Sequence, residues 1–219
     1  MKKTYSTGDT TKMNIINAAG ELAAELGFSN VSTRAVADRS GENIGSIHYH
    51  FGGKDGLFEA VVRTAMGGCG LAHEEAQILS LHESATPAEL SGTVRLIIAN
   101  EITDMFRSDR PAWHVPVMYQ LFQRDDALYD IIHQEVMLPS VEAMTRFLRI
   151  IDPEMDMDEV YLHCALMKMP IYAHADYMKT ILKIREAESY SDAYLQKMED
   201  MLVRQAQRLL GLPEDKPKK

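Results

Sequence analysis

The chain has 219 residues, enough for one large domain or a small domain joined to a larger one, and 46% of them are apolar, ample for a buried core. Its two cysteines, Cys69 and Cys164, are widely separated and form no CxxC pair, so neither a disulfide framework nor a zinc site is expected. The net charge of −9 excludes a uniformly basic nucleic-acid coat, but residues 1–63 carry seven basic and seven acidic side chains, so the whole excess lies downstream.

Lys2 and Lys3 have no apolar run behind them, which predicts no secretory signal, and no stretch approaches the roughly 20 apolar residues that span a bilayer. A cytoplasmic protein is expected. From Thr10 to Leu26, Met13, Ile16, Ala19, Gly20, Ala23 and Leu26 recur at three- and four-residue intervals, which predicts an amphipathic helix ended by Gly27.

The next stretch, Val31 to Leu57, reads as two short helices around a tight turn. Ser32 or Thr33 can cap the first, because a hydroxyl there satisfies an amide left unpaired by the first turn. Ala35, Val36 and Ala37 give it a small packing side, and Gly41 stops it by tolerating the left-handed backbone of a sharp turn. Asn43 suits the cap of the second helix, Ile44 to Phe51. Ile47 and Phe51 are its core residues, while Ser46, His48, Tyr49 and His50 offer donors and planar rings with almost no charge. Lys54 and Asp55 open a further helix, whose Leu57, Phe58, Val61, Val62 and Ala65 continue the apolar pattern. Gly67, Gly68 and Gly70 then offer either a hinge or a place where helices pack closely.

This segment resembles the helix-turn-helix of TetR-type transcriptional regulators, with matches at Thr33, Ala37, Gly41, Gly45, Ile47, His50, Phe51, Lys54 and Leu57. It departs from the usual pattern at Glu42, Asn43 and His48. The Asn-Ile pair and the run Tyr49 to Lys54 are similar to the CecR-like subgroup. The resemblance implies an all-α protein: a small three-helix DNA-binding domain, residues 10–56 with a linking helix 54–66, and a larger ligand-binding and dimerisation domain, residues 67–212. Arg34, Ser46 and Tyr49 are the candidates for base contacts or groove fit. Thr33, Asn43, His48, His50 and Lys54 are the candidates for phosphate contacts, Lys54 aided by the amino end of its helix. Glu42 is awkward beside phosphate and is expected to point away or to meet a neighbouring group.

Downstream the pattern stays helical, with no convincing β alternation. Thr86 and Pro87 predict a helix start, and that helix runs to Arg107 and buries Leu90, Val94, Ile97, Ile98, Ile102 and Phe106. Asp109 and Pro111 predict another. Leu128 to Met137 and Val141 to Ile151 follow, separated by Pro139, and Asp152-Pro153 breaks the chain. Met157 to Leu182, containing Pro170, and Ser191 to Leu210 are the last helical blocks, and residues 213–219 are expected to form a disordered tail.

In the first of these blocks Leu162, Ala165, Leu166, Met169, Ala173 and Tyr177 form one apolar stripe, and in the second Leu195, Met198, Leu202, Ala206 and Leu209 form another. Periodicity alone leaves core and interface open. The resemblance implies a homodimer built on these two helices, binding near-palindromic operator DNA and controlled by a small organic effector. Trp113, His114, Met118, Tyr119, Phe122, His133, His163, Met167, Tyr172 and His174 supply polarisable side chains with polar tips, suited to a mostly apolar effector pocket. No metal-ligand spacing, phosphate loop, nucleophile motif or acid-base pair stands out, so no catalytic site, metal or cofactor is expected. A helical interaction module that no longer binds DNA is the alternative reading, because Glu42 and the modest basic charge depart from a strong DNA reader.

Overall fold

The computed structural model describes residues 7–67, 78, 80–107 and 110–214, and every regular element among them is helical. The chain packs as two compact units. One comprises Met1–Cys69 with Asp109–Val136, the other Gly70–Ser108 with Met137–Lys219.

The first unit is built on α1 (Thr7–Leu26). Ile15, Ile16, Ala18, Ala19, Leu22 and Ala23 are all buried, whereas Met13 is 39% and Leu26 50% exposed. Those two expected core residues are therefore outside. The buried arc is wide because α1 is packed on one side by the helix-turn-helix and on another by residues 113–121, a partner that the local periodicity could not show. A 3-10 turn, Phe28–Asn30, leads to α2 (Thr33–Ser40), α3 (Ile44–Phe51) and α4 (Lys54–Met66). Gly67 closes α4, and Gly68 and Gly70 of the predicted hinge lie outside the described residues.

The same unit contains α6 (His114–Leu121) and α7 (Ala127–Ile132), which chain order had assigned to the downstream domain. The reason is specific packing on α1. The Trp113 ring lies on Gly20, where a β-carbon would stand 2.4 Å from it, and its indole N–H donates to Asn17 Oδ1 at 3.3 Å. Gln120 Nε2 donates to the carbonyl of Ala23 at 2.9 Å. Arg63 of α4 pairs with Glu59 at 3.0 Å and with Glu135 at 3.1 Å. The helix predicted to start at Asp109 or Pro111 begins at His114, and Asp109 is outside the described residues.

The second unit opens with α5 (Pro87–Phe106), capped as the sequence suggests. Thr86 Oγ1 accepts from the Glu89 amide while the Glu89 carboxylate accepts from the Thr86 amide, a reciprocal capping box. Pro139 does not interrupt the chain: a π-helical turn, His133–Met137, leads directly into α8 (Leu138–Ile151), and the proline sits in the first turn, where no amide is needed. α9 (Met157–Asp176) carries a second capping box, Asp156 with Glu159. It ends six residues before the predicted Leu182, and a short α10 (Met178–Ile184) follows the break at Tyr177. Ser191 caps α11 (Asp192–Leu209).

α11 packs on α5, and the Leu195, Met198 and Ala206 part of its stripe is buried within this unit. Of the predicted tail, Pro213 and Glu214 are held in place: Ser91 Oγ donates to the Pro213 carbonyl at 2.6 Å, and Glu214 pairs with Arg208 at 2.8 Å. Residues 215–219 lie outside the described residues.

Candidate nucleic-acid interface

Local chemistry fixes the α2-turn-α3 geometry. Ser32 is the cap of α2, its hydroxyl oxygen accepting from the Ala35 amide at 3.1 Å, which leaves Thr33 as the first helical residue. Gly41 takes the left-handed conformation, φ 71°, that lets the chain reverse. Asn43 Oδ1 then accepts from the Gly45 amide at 2.8 Å and starts α3. Gly56 brings α4 against the end of α3: a β-carbon there would stand 2.0 Å from the Phe51 carbonyl oxygen.

At about 100° per residue, Ile47 defines the inward direction of α3, and Gly45 and Tyr49 fall opposite it with Ser46 and His48 on the flanks. The observed burial follows that geometry. Ile47 is fully buried, Tyr49 is 86% exposed, His48 is exposed and Ser46 half-buried. His50 falls nearer the core side, half-buried, with its ring edge-on to Tyr49 at 5.0 Å. It lines an open groove with Asp9, Lys12 and Met13 of α1 and Ala60 and Arg63 of α4, which explains the exposure of Met13. Ile44 remains 44% exposed, so the core of this two-turn helix rests on Ile47 with Phe51 partly buried.

Within α3 there is no Lys, Arg, Asp or Glu. The candidate cations stand on its neighbours. Arg34 is exposed on the first turn of α2. Lys54 opens α4 with its ammonium 5.3 Å from the centre of the Phe58 ring, and Phe58 meets Phe28 edge to face at 5.1 Å. Arg39, by contrast, is turned inward on its own unit: it pairs with Glu25 at 3.1 Å and Glu21 at 3.5 Å. The Arg39 guanidinium, through its hydrogen bonds, holds the Glu25 carboxyl below the usual range. Glu42 turns to α1, where its Oε1 accepts from Asn14 Nδ2 at 3.0 Å. Asn14 was not singled out from the sequence, since nothing local marks a polar residue on an exposed helix face as the partner of a turn 28 positions away.

The ten side chains proposed for an effector pocket divide between the units. Trp113, His114, Met118, Tyr119, Phe122 and His133 belong to the first, and His163, Met167, Tyr172 and His174 to the second. Trp113 and His114 are buried, with ring centres 4.1 Å apart. Neither ring nitrogen of His114 has a hydrogen-bond partner, and burial, with the nearby charge of Arg110, lowers its pKa to about 4. His133 stacks on Tyr129.

In the second unit, Tyr172 places its hydroxyl 3.1 and 3.2 Å from the two oxygens of Glu101, which also pairs with Lys168 at 2.8 Å. Both charged residues are buried, and both escaped the sequence reading. Their only local signals are a glutamate inside an isoleucine run and the one-turn spacing of Lys168 and Tyr172. His174 Nδ1 lies 2.8 Å from the Pro170 carbonyl, which can only accept, so Nδ1 carries a proton and Nε2 is left for the Tyr194 hydroxyl at 3.1 Å. Among the described residues no group of three or more His, Cys, Asp or Glu could hold a metal ion, and no helix is long and apolar enough to cross a membrane.

A capped helix-turn-helix whose second helix buries one isoleucine and offers an uncharged polar and aromatic face has the form of a DNA-reading segment. Residues 15–61 match the model of bacterial regulatory proteins, tetR family, so this segment is a TetR-type helix-turn-helix. No curated protein sequence matches the chain. Among solved structures it is similar to AmtR of Mycobacterium smegmatis, with a TM-score of 0.61 at 18% identity over 98% of this chain and 90% of that one. It is also similar to HlyIIR, a hemolysin II transcriptional regulator, with a TM-score of 0.59 at 17% identity over 96% of this chain and 100% of the other. A transcriptional regulator from Rhodococcus sp. Rha1 gives 0.57 at 18% identity over 94% and 99%. At these identities the likeness is one of fold.

Proposed function

We propose that the chain is a sequence-specific transcriptional regulator of the TetR type, nearest the CecR-like subgroup, and that it represses until a small organic effector releases it from operator DNA. The observation that carries the reading is α3 itself, a two-turn helix capped at both ends that holds Tyr49 86% exposed, opposite buried Ile47. Arg34, Ser46 and Tyr49 contact bases or fill the groove, while Thr33, Asn43, His48, His50 and Lys54 hold the backbone. Release follows if the effector binds better to the form that does not dock, since only a difference in affinity between two states shifts their balance.

One short helix reads too few bases to select a site, and a homodimer supplies two readers for major grooves roughly 34–36 Å apart. The exposed stripe of α9 supports such a dimer. Leu162, Leu166 and Met169, and Tyr177 just past the helix end, lie outside the core of their own unit, as an interface with a second copy requires.

Footprinting on the DNA flanking the gene, backed by selection from random-sequence duplexes, tests the reading. The expected result is a protected, nearly two-fold symmetric site. Arg34→Ala and Lys54→Ala are expected to weaken it, with Lys54→Ala lowering the salt slope by about one. Undiminished binding by both variants would reject this docking. If no sequence is enriched at all, the helical interaction module becomes the better reading.

A further inference from the structure

We infer that Asn14 and Glu42 form a positioning latch that sets the angle at which α3 meets DNA, an inference that rests on the DNA-reader reading above. The need for a latch follows from how little else holds the amino end of α3. Its carboxyl end is fixed by Phe51 and by the close approach of Gly56 to the Phe51 carbonyl. Toward the amino end, Ile44 is 44% exposed and Gly45 has no side chain, so apolar packing leaves rotation about Ile47 weakly restrained.

The polar groups of the turn are mostly satisfied within it. The Glu42 amide donates to Ser40 Oγ at 3.3 Å, and Asn43 Oδ1 caps α3. Among the described residues, the Asn14 to Glu42 bond is the side-chain hydrogen bond that ties residues 41–43 to α1. A neutral amide on α1 is well suited to the task. It directs a carboxylate that would otherwise stand free beside the DNA backbone, and it adds no cation that would grip phosphate without regard to sequence. Asn14 and Glu42 are thus positioning residues, acting through the orientation of Ser46 and Tyr49.

The test exchanges donor and acceptor. Asn14→Ala removes the bond, and Asn14→Asp replaces it with repulsion between two carboxylates. The double variant N14D/E42Q rebuilds the bond with its direction reversed and leaves net charge unchanged. The measurement is the ratio of affinities for a duplex enriched by the wild-type chain from random sequence and for a scrambled duplex of the same composition, at fixed salt. Each single variant is expected to lower that ratio roughly tenfold, and N14D/E42Q to restore it to within about threefold. Loss of stability alone lowers the active fraction equally for both duplexes and leaves the ratio unchanged. Wild-type selectivity in both single variants overturns the latch, as does a double variant no better than Asn14→Asp. A wild-type chain that enriches no sequence overturns the DNA-reader reading, and the latch with it.

Discussion

Two residues carry consequences out of proportion to their size. Gly56 is one, because its missing β-carbon lets α4 start against the end of α3 with the Phe51 carbonyl in the way of any side chain. Gly56→Ala is expected to cost about 2–4 kcal/mol in urea unfolding, since the backbone contact cannot yield as a flexible side chain would. His114 is the other. Its pKa of about 4 in the folded chain lies below the ordinary value of 6.5, so between these values the unfolded chain binds more protons and folding is penalised as pH falls. The contribution is fully present above about pH 6.5 and is lost toward pH 4, at a slope of up to about 1.4 kcal/mol per pH unit. Thermal melts from pH 7 to 4.5 should show this slope, and His114→Leu, which has nothing to protonate, should flatten it.

The docking of α6 on α1 belongs to the scale of elements. Trp113 fills the space that Gly20 leaves open, and its ring is 4% exposed. Trp113→Ala is expected to lose about 3–5 kcal/mol through the cavity it leaves, read from the loss of helical circular dichroism in urea. Because it is the only tryptophan in the chain, its emission should also report the unfolding of this unit in the wild type. A cost below about 1 kcal/mol would mean that α1 and α6 are not joined there.

Elements of this kind also mark where a sequence stops speaking. The caps at Asn43 and Thr86, the choice of Ser32 or Thr33 for α2, and the inward turn of Ile47 were legible because each depends on residues within one or two turns. The wide buried arc of α1 was not, because part of it is covered by residues 113–121, distant in sequence. The Lys168 and Glu101 pair and the Asn14 and Glu42 bond were hidden for the same reason: each joins positions that only the fold brings together.

At the scale of the whole molecule, the proposed dimer rests on the exposed stripe along α9. Leu162 is 62%, Met169 55% and Tyr177 61% exposed, an apolar surface that a chain working alone would leave in water. Leu166→Glu on this stripe is expected to turn a dimer into monomers in sedimentation velocity at micromolar concentration. The circular dichroism should stay unchanged, because the residue is outside its own core. A variant that remains dimeric would place the interface on another surface.

The absence of charge along α3 separates two properties that DNA-binding proteins often mix. In the docking proposed above, the full positive charge that releases counterions is that of Lys54, outside α3, whereas ranking one sequence above another belongs to Arg34, Ser46 and Tyr49. Grip and discernment are then independent dials. Salt, or a substitution at Lys54, is then expected to loosen the hold on every sequence alike while the order of preference stands. A new order of preference is expected from substitutions at Ser46 and Tyr49 that leave the phosphate-holding side chains in place.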